Sequence, residues 1–121
     1  MKFFVADVAR AMAIGSLAVA QAAAAHAETP KPVTIKPGKI FEKCLTLVPP
    51  QKIEYRFESA AKIDFNLHYH KGEQVYYPVK LDRTNAESGS YEAKANEVYC
   101  LMWENKTSAA VELTYSARIA K

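Results

Sequence analysis

From Lys52 onward, apolar and polar residues alternate one for one. "KIEYRFES" sets Ile53, Tyr55 and Phe57 on one face and Glu54, Arg56 and Glu58 on the other, the period of a strand with one face on a core. "KIDFNLHYH" repeats the pattern, with Ile63, Phe65, Leu67 and Tyr69 inward and Asp64, Asn66, His68 and His70 outward. "AAVELTYSARI" alternates Val111, Leu113, Tyr115 and Ala117 with Glu112, Thr114, Ser116 and Arg118. No stretch of the chain beyond residue 37 calls for an amphipathic helix.

Turn residues punctuate these runs at Pro49-Pro50, Lys71-Gly72, Ser88-Gly89-Ser90 and the "NKTS" that begins at Asn105. Further strands are expected near Lys39 to Val48, Gln74 to Leu81, Ser90 to Ala95 and Val98 to Glu104. Such spacing predicts an all-β fold, an antiparallel, jelly-roll-like β-sandwich of about seven to eight strands.

The start of the chain breaks the pattern. Lys2 and Arg10 flank an Ala-rich apolar stretch that ends in Ala25-His26-Ala27, the small-x-small form of a signal-peptidase site. The apolar run is short for a membrane span of roughly 20 residues. The expected organisation is a signal peptide over residues 1–27, a Pro-containing linker over 28–37 and one domain over 38–121. The product would be periplasmic or secreted, with no stable membrane anchor after cleavage.

Without Lys2, Arg10 and Asp7, the 16 basic and 13 acidic residues fall to 14 and 12, a net charge of +2. So slight an excess gives no reason to expect nucleic acid as a partner. Cys44 and Cys100 both lie in the expected domain. In an exported chain of this size, a disulfide between them is the default, with a pair of free thiols acting as soft metal ligands the alternative.

"SGSYEAKANEVYCLMWENKTSAAVELTY" resembles the C-terminal half of a GOLD (Golgi dynamics) domain, the β-sandwich of Golgi cargo receptors. Upstream, "IFEKCLTLVPP", "IEYRFES" and "IDFNLHYH" resemble that family's early-cysteine, aromatic and core strands. The resemblance aligns Tyr99 with the family tyrosine, Trp103 with its aromatic residue and Asn105 with the asparagine that opens the last turn. Glu97 replaces a usual glycine, and Cys100 sits two positions early, where the family cysteine would fall on Met102. That shift moves the side chain roughly 6.6 Å along the strand, so the bridge requires Cys44 to shift in register with it. What the resemblance implies is the fold and a habit of binding, without the receptors' coiled coil, membrane span or tail.

The candidate chemistry is sparse. His68 and His70, at i and i+2 on an outward face, could chelate one transition metal, with Met102 as a soft ligand for copper or Glu73 for a harder ion. The competing reading is an ordinary polar sheet face. Tyr76 and Tyr77, on opposite faces beside Pro78, offer one exposed aromatic as a candidate binding surface. Trp103 falls in the inward series with Tyr99 and Leu101 and belongs to the core. Asn105-Lys106-Thr107 fits a glycosylation pattern but reads as turn chemistry. With no phosphate-binding loop and no nucleophile elbow, the sequence points to a non-catalytic module for an unidentified protein or small ligand. A periplasmic copper or zinc binder using His68 and His70 and a structural subunit of an envelope complex are the rival expectations.

Overall fold

The computed structural model describes residues 29–121. The expected signal peptide, with His26 and its cleavage after Ala27, lies outside the described residues. Six strands follow: β1 Lys31–Ile35, β2 Ile40–Leu47, β3 Lys52–Lys71, β4 Gln74–Glu92, β5 Glu97–Glu104 and β6 Val111–Ala120. The segment expected to be linker therefore contains β1, which pairs antiparallel with β6 from Lys31 opposite Tyr115 to Ile35 opposite Val111.

All pairings are antiparallel, and they form one six-stranded sheet. β3 organises it. Along one edge it carries β4, and along the other it pairs first with β6, through Lys52–Ser59, and then with β5, through Asp64–Tyr69. β1 extends the β6 arm and β2 extends the β5 arm. The sheet curls until the two arms face one another. Phe57 on the β6 side lies 4.7 Å from Phe65 on the β5 side, ring centre to ring centre, and Trp103 lies 5.2 Å from Tyr115.

The inward residues read from the alternation meet in this core. Ile53, Phe57, Ile63, Phe65, Leu67, Tyr99, Leu101, Trp103 and Leu113 are fully enclosed, while Tyr69 is half-buried. Burying each large apolar side chain contributes about 1.5–3 kcal/mol, and the tilted and edge-on ring pairs add a smaller directional part. Tyr99 resolves its one polar atom locally, donating its hydroxyl to the Ala95 carbonyl at 2.8 Å and so pinning the turn that leads into β5.

The strand count differs from the sequence expectation, and so does the sheet arrangement. Six strands replace about seven to eight, and one curled sheet stands in place of a two-sheet sandwich, because β3 and β4 each absorb two expected strands. In β3 the inward parity of Ile53 carries through Ala61 to Tyr69 without a breaker, so the strand bends without ending. In β4 the Ser88-Gly89-Ser90 segment is not a turn but extended backbone opposite Tyr55. The other breakers do reverse the chain, with a cis Pro49-Pro50 bond before β3 and a left-handed Gly72 between β3 and β4.

The cysteines are bridged. β2 pairs with β5 in a register that sets Cys44 directly opposite Cys100, with Cα atoms 4.0 Å apart, and the disulfide joins them. The register between β2 and β5 thus allows the bridge that the two cysteines were expected to form.

Candidate functional site

Alternation in β3 turns Asp64, Asn66, His68 and His70 away from the core, and two bulges on β4 shape what they face. Between the pairs Leu67–Val79 and Tyr69–Tyr76, the single residue His68 is opposed by two, Tyr77 and Pro78. A bulge of this kind bends its strand and re-aims a side chain, and here the Tyr77 ring comes to 5.7 Å from the His68 ring. The second bulge sets Asp82 and Arg83 opposite Asp64. Arg83 takes a left-handed conformation there, and the Asp64 carboxylate accepts its backbone N–H at 2.9 Å.

His68 is therefore not the exposed face residue that its parity predicts. It is buried to 6 % relative exposure and Asn66 to 8 %, while His70 remains exposed. Cys100 stands opposite His68 in β5, Cys44 stands beyond it in β2, and His70 meets the His68 ring edge-on at 5.3 Å. Glu42, two positions before Cys44 and so on the same face, brings Oε2 to 3.4 Å from His68 Nε2. Nδ1 lies 2.8 Å from Asn66 Oδ1. Since that oxygen only accepts, Nδ1 carries the hydrogen, so Nε2 faces the Glu42 carboxylate as a lone pair when the ring is neutral and as an N–H donor when it is protonated. Burial holds the His68 imidazole below its ordinary pKa, Glu42 opposes this and His70 adds to it.

Met102 occupies the same face, opposite Asn66 and Glu42, one pair of positions along from His68. Glu73 lies exposed in the β3–β4 turn. Tyr76 and Tyr77 do take opposite faces, Tyr76 stacking on Tyr69 at 5.2 Å and Tyr77 lying against His68. Both are exposed, at 42 % and 49 %, where one exposed ring was expected. β4 is an edge strand, so even its inward residue is open to solvent along one side. Lys80 Nζ sits 5.5 Å from the centre of the Tyr77 ring.

Sequence reasoning missed Glu42 and the approach of the bridge to His68. Glu42, His68 and Cys100 present ligand atoms all within 4.8 Å of one another. The signal was available in part, because the i and i+2 spacing of Glu42 and Cys44 puts both on one face, and a Cys44–Cys100 bridge brings that face beside β5. What it lacked was the pairing of β5 with β3.

No protein-family model matches the chain, and no curated protein matches it. Among solved structures it is similar to the Yersinia pseudotuberculosis-derived mitogen (YPM), with a TM-score of 0.55 and 12 % identity over 76 % of this chain and 85 % of that one. It is also similar to Aeromonas hydrophila PliG, a periplasmic lysozyme inhibitor of g-type lysozyme, with a TM-score of 0.48 and 12 % identity over 78 % of this chain and 90 % of that one. A de novo designed double-stranded β-helix matches with a TM-score of 0.45 and 16 % identity, over 75 % of this chain and the whole of the design. The likeness to the mitogen is one of β fold. One fold of this kind hosts many activities.

Proposed function

We propose that the chain is an exported, non-catalytic β-fold binding module whose recognition surface is the outer face built around His68, His70 and Tyr77. The observation that carries this reading is the bulge that sets the exposed Tyr77 ring against the buried His68. An ordinary solvated face has no need to enclose an imidazole, and a rigid aromatic beside a fixed polar group is what binding surfaces use. The Cys44–Cys100 bridge fits an oxidising compartment, periplasmic or extracellular. The GOLD-like motifs point the same way, since that family binds rather than catalyses.

The test is retention of partners by the immobilised mature chain from envelope extract. A Tyr77→Ser/His70→Ser variant should lose a partner that the wild type retains, and a Thr114→Ser variant on the other arm should keep it. Equal retention by the face variant and the wild type would sink the reading.

A second reading, binding of copper or zinc, is favoured by the 3.4 Å approach of His68 Nε2 to the Glu42 carboxylate. A neutral imidazole nitrogen and a carboxylate oxygen facing one another are reconciled by a shared cation, either a metal ion or the proton of an imidazolium. His68 and Glu42 then replace the expected pairing of His68 with His70 as the heart of the site, with His70 and Met102 at its margin.

A further inference from the structure

Three neighbouring strands converge on one point of the outer face. β2 brings Glu42 and Cys44, β5 brings Cys100 and β3 brings His68. With bonds of about 2.0–2.1 Å to nitrogen and oxygen, a tetrahedral zinc ion holds those two ligand atoms about 3.3–3.4 Å apart, and with thiolate bonds of about 2.3 Å it holds two sulfurs about 3.8 Å apart. The His68 Nε2 to Glu42 Oε2 distance of 3.4 Å already matches the first separation. The Cys100 sulfur lies within 4.8 Å of a His68 ring nitrogen and of a Glu42 carboxylate oxygen, and Cys44 is bonded to it. The remaining His68 nitrogen is held by Asn66 Oδ1 at 2.8 Å, the outer support that metal-bound histidines use to fix their ring.

We propose that Cys44, Cys100, His68 and Glu42 form a tetrahedral zinc site that the disulfide keeps closed and reduction opens. This rests on the metal reading of the outer face, which requires only Glu42 and His68. A dithiol converts the bridge to two thiols by giving two electrons and two protons and leaves as its disulfide; a phosphine gives the two electrons and leaves as its oxide, with water supplying the oxygen and the two thiol protons. Zinc binding releases the two thiol protons and takes the paired thiolates, one imidazole and one carboxylate as ligands. The sulfurs need only part by side-chain rotation, because their strands stay paired through the rest of the β2–β5 ladder. A mixed sulfur, nitrogen and oxygen set of this kind suits zinc better than copper(I), which selects all-soft ligands.

The test is zinc titration of the purified chain, oxidised and phosphine-reduced, against a chromophoric chelator, with cobalt(II) as a spectroscopic stand-in. The reduced chain should bind one equivalent, about 100-fold or more tighter than the oxidised chain, and its cobalt form should gain a thiolate charge-transfer band. The Cys44→Ser/Cys100→Ser variant should lose the dependence on reductant, and His68→Gln should weaken zinc binding by the reduced chain. Equal affinity in both redox states overturns the switch and leaves the metal reading standing. No binding in either state ends both. If reduction unfolds the chain, one equivalent of zinc must restore the near-ultraviolet circular dichroism of the enclosed Trp103. Binding without that recovery, or unchanged affinity in His68→Gln, overturns the site.

Discussion

Tyr55 lies over Gly89. The two are paired across β3 and β4, and a Cβ placed on Gly89 would fall 2.5 Å from the Tyr55 hydroxyl oxygen and 2.7 Å from its ring carbon Cζ. The ring is buried and its neighbour Phe65 is 5.2 Å away, so it has little room to retreat. Gly89→Ala should therefore destabilise the chain by about 1–3 kcal/mol, the usual cost of overpacking, despite alanine's better strand propensity. Urea unfolding checks it, and Tyr55→Phe on the Gly89→Ala background should recover part of the loss by removing the clashing oxygen.

That pair also marks where the sequence was legible. Parity alone identified the inward series of β3, β5 and β6, because side-chain direction in a strand is local. Gly89 reads as a breaker for an equally local reason, yet it accommodates a ring from the neighbouring strand, whereas Pro78, inside the strand expected from Gln74 to Leu81, sits in a bulge on an edge, where a missing N–H costs nothing. His68 was placed on the correct face and given the wrong environment. What encloses it comes from β2, β4 and β5, and the order in which strands pair is a long-range property that periodicity does not carry.

Asn105 is fully buried and spends its whole amide on three backbone groups and the Thr107 hydroxyl. Its Nδ2 donates to the carbonyls of Ile35 at 2.9 Å and Ala109 at 2.8 Å, and its Oδ1 accepts the Thr107 N–H at 2.9 Å and the Thr107 hydroxyl at 2.7 Å. It thereby closes the β5–β6 loop and ties it to the end of β1, which leaves no room for a glycan on its nitrogen. Asn105→Asp should cost about 2–5 kcal/mol, since two carbonyls lose their donor and face a carboxylate instead. A change in urea midpoint below about 0.5 kcal/mol equivalent would contradict this.

The bridge closes a loop across 56 residues of sequence separation. The chain-entropy estimate for such a loop is about 4 kcal/mol, so Cys44→Ala/Cys100→Ala should lower unfolding stability by about 2–4 kcal/mol. Because Cys100 also covers His68, the same variant should expose the His68 ring. Exchange of its imidazole signals with solvent, followed by NMR, should quicken more than that of the Asn105 amide. Equal change at both sites would mean that the bridge does not shelter His68.

Acid should weaken the β3–β4 bulge through Asp64. Burial by itself raises the Asp64 carboxyl, but the Lys106 ammonium at 2.9 Å, the Arg83 backbone N–H and the charges of both residues outweigh it and hold the group below its ordinary value of 3.8. A carboxyl depressed in the folded state contributes stability above its unfolded value and loses it as pH falls through the folded one, because the unfolded chain then binds the proton first. Unfolding midpoints of the wild type should fall from about pH 5 to pH 2, and Asp64→Asn should be less stable at neutral pH with a shallower acid limb. Lys106→Ala should retain more of that limb than Asp64→Asn, since the Arg83 N–H still holds the carboxylate after the solvent-exposed lysine's hydrogen bond and charge are lost. Superimposable acid limbs for wild type and Asp64→Asn would show that the bulge is held by backbone geometry alone.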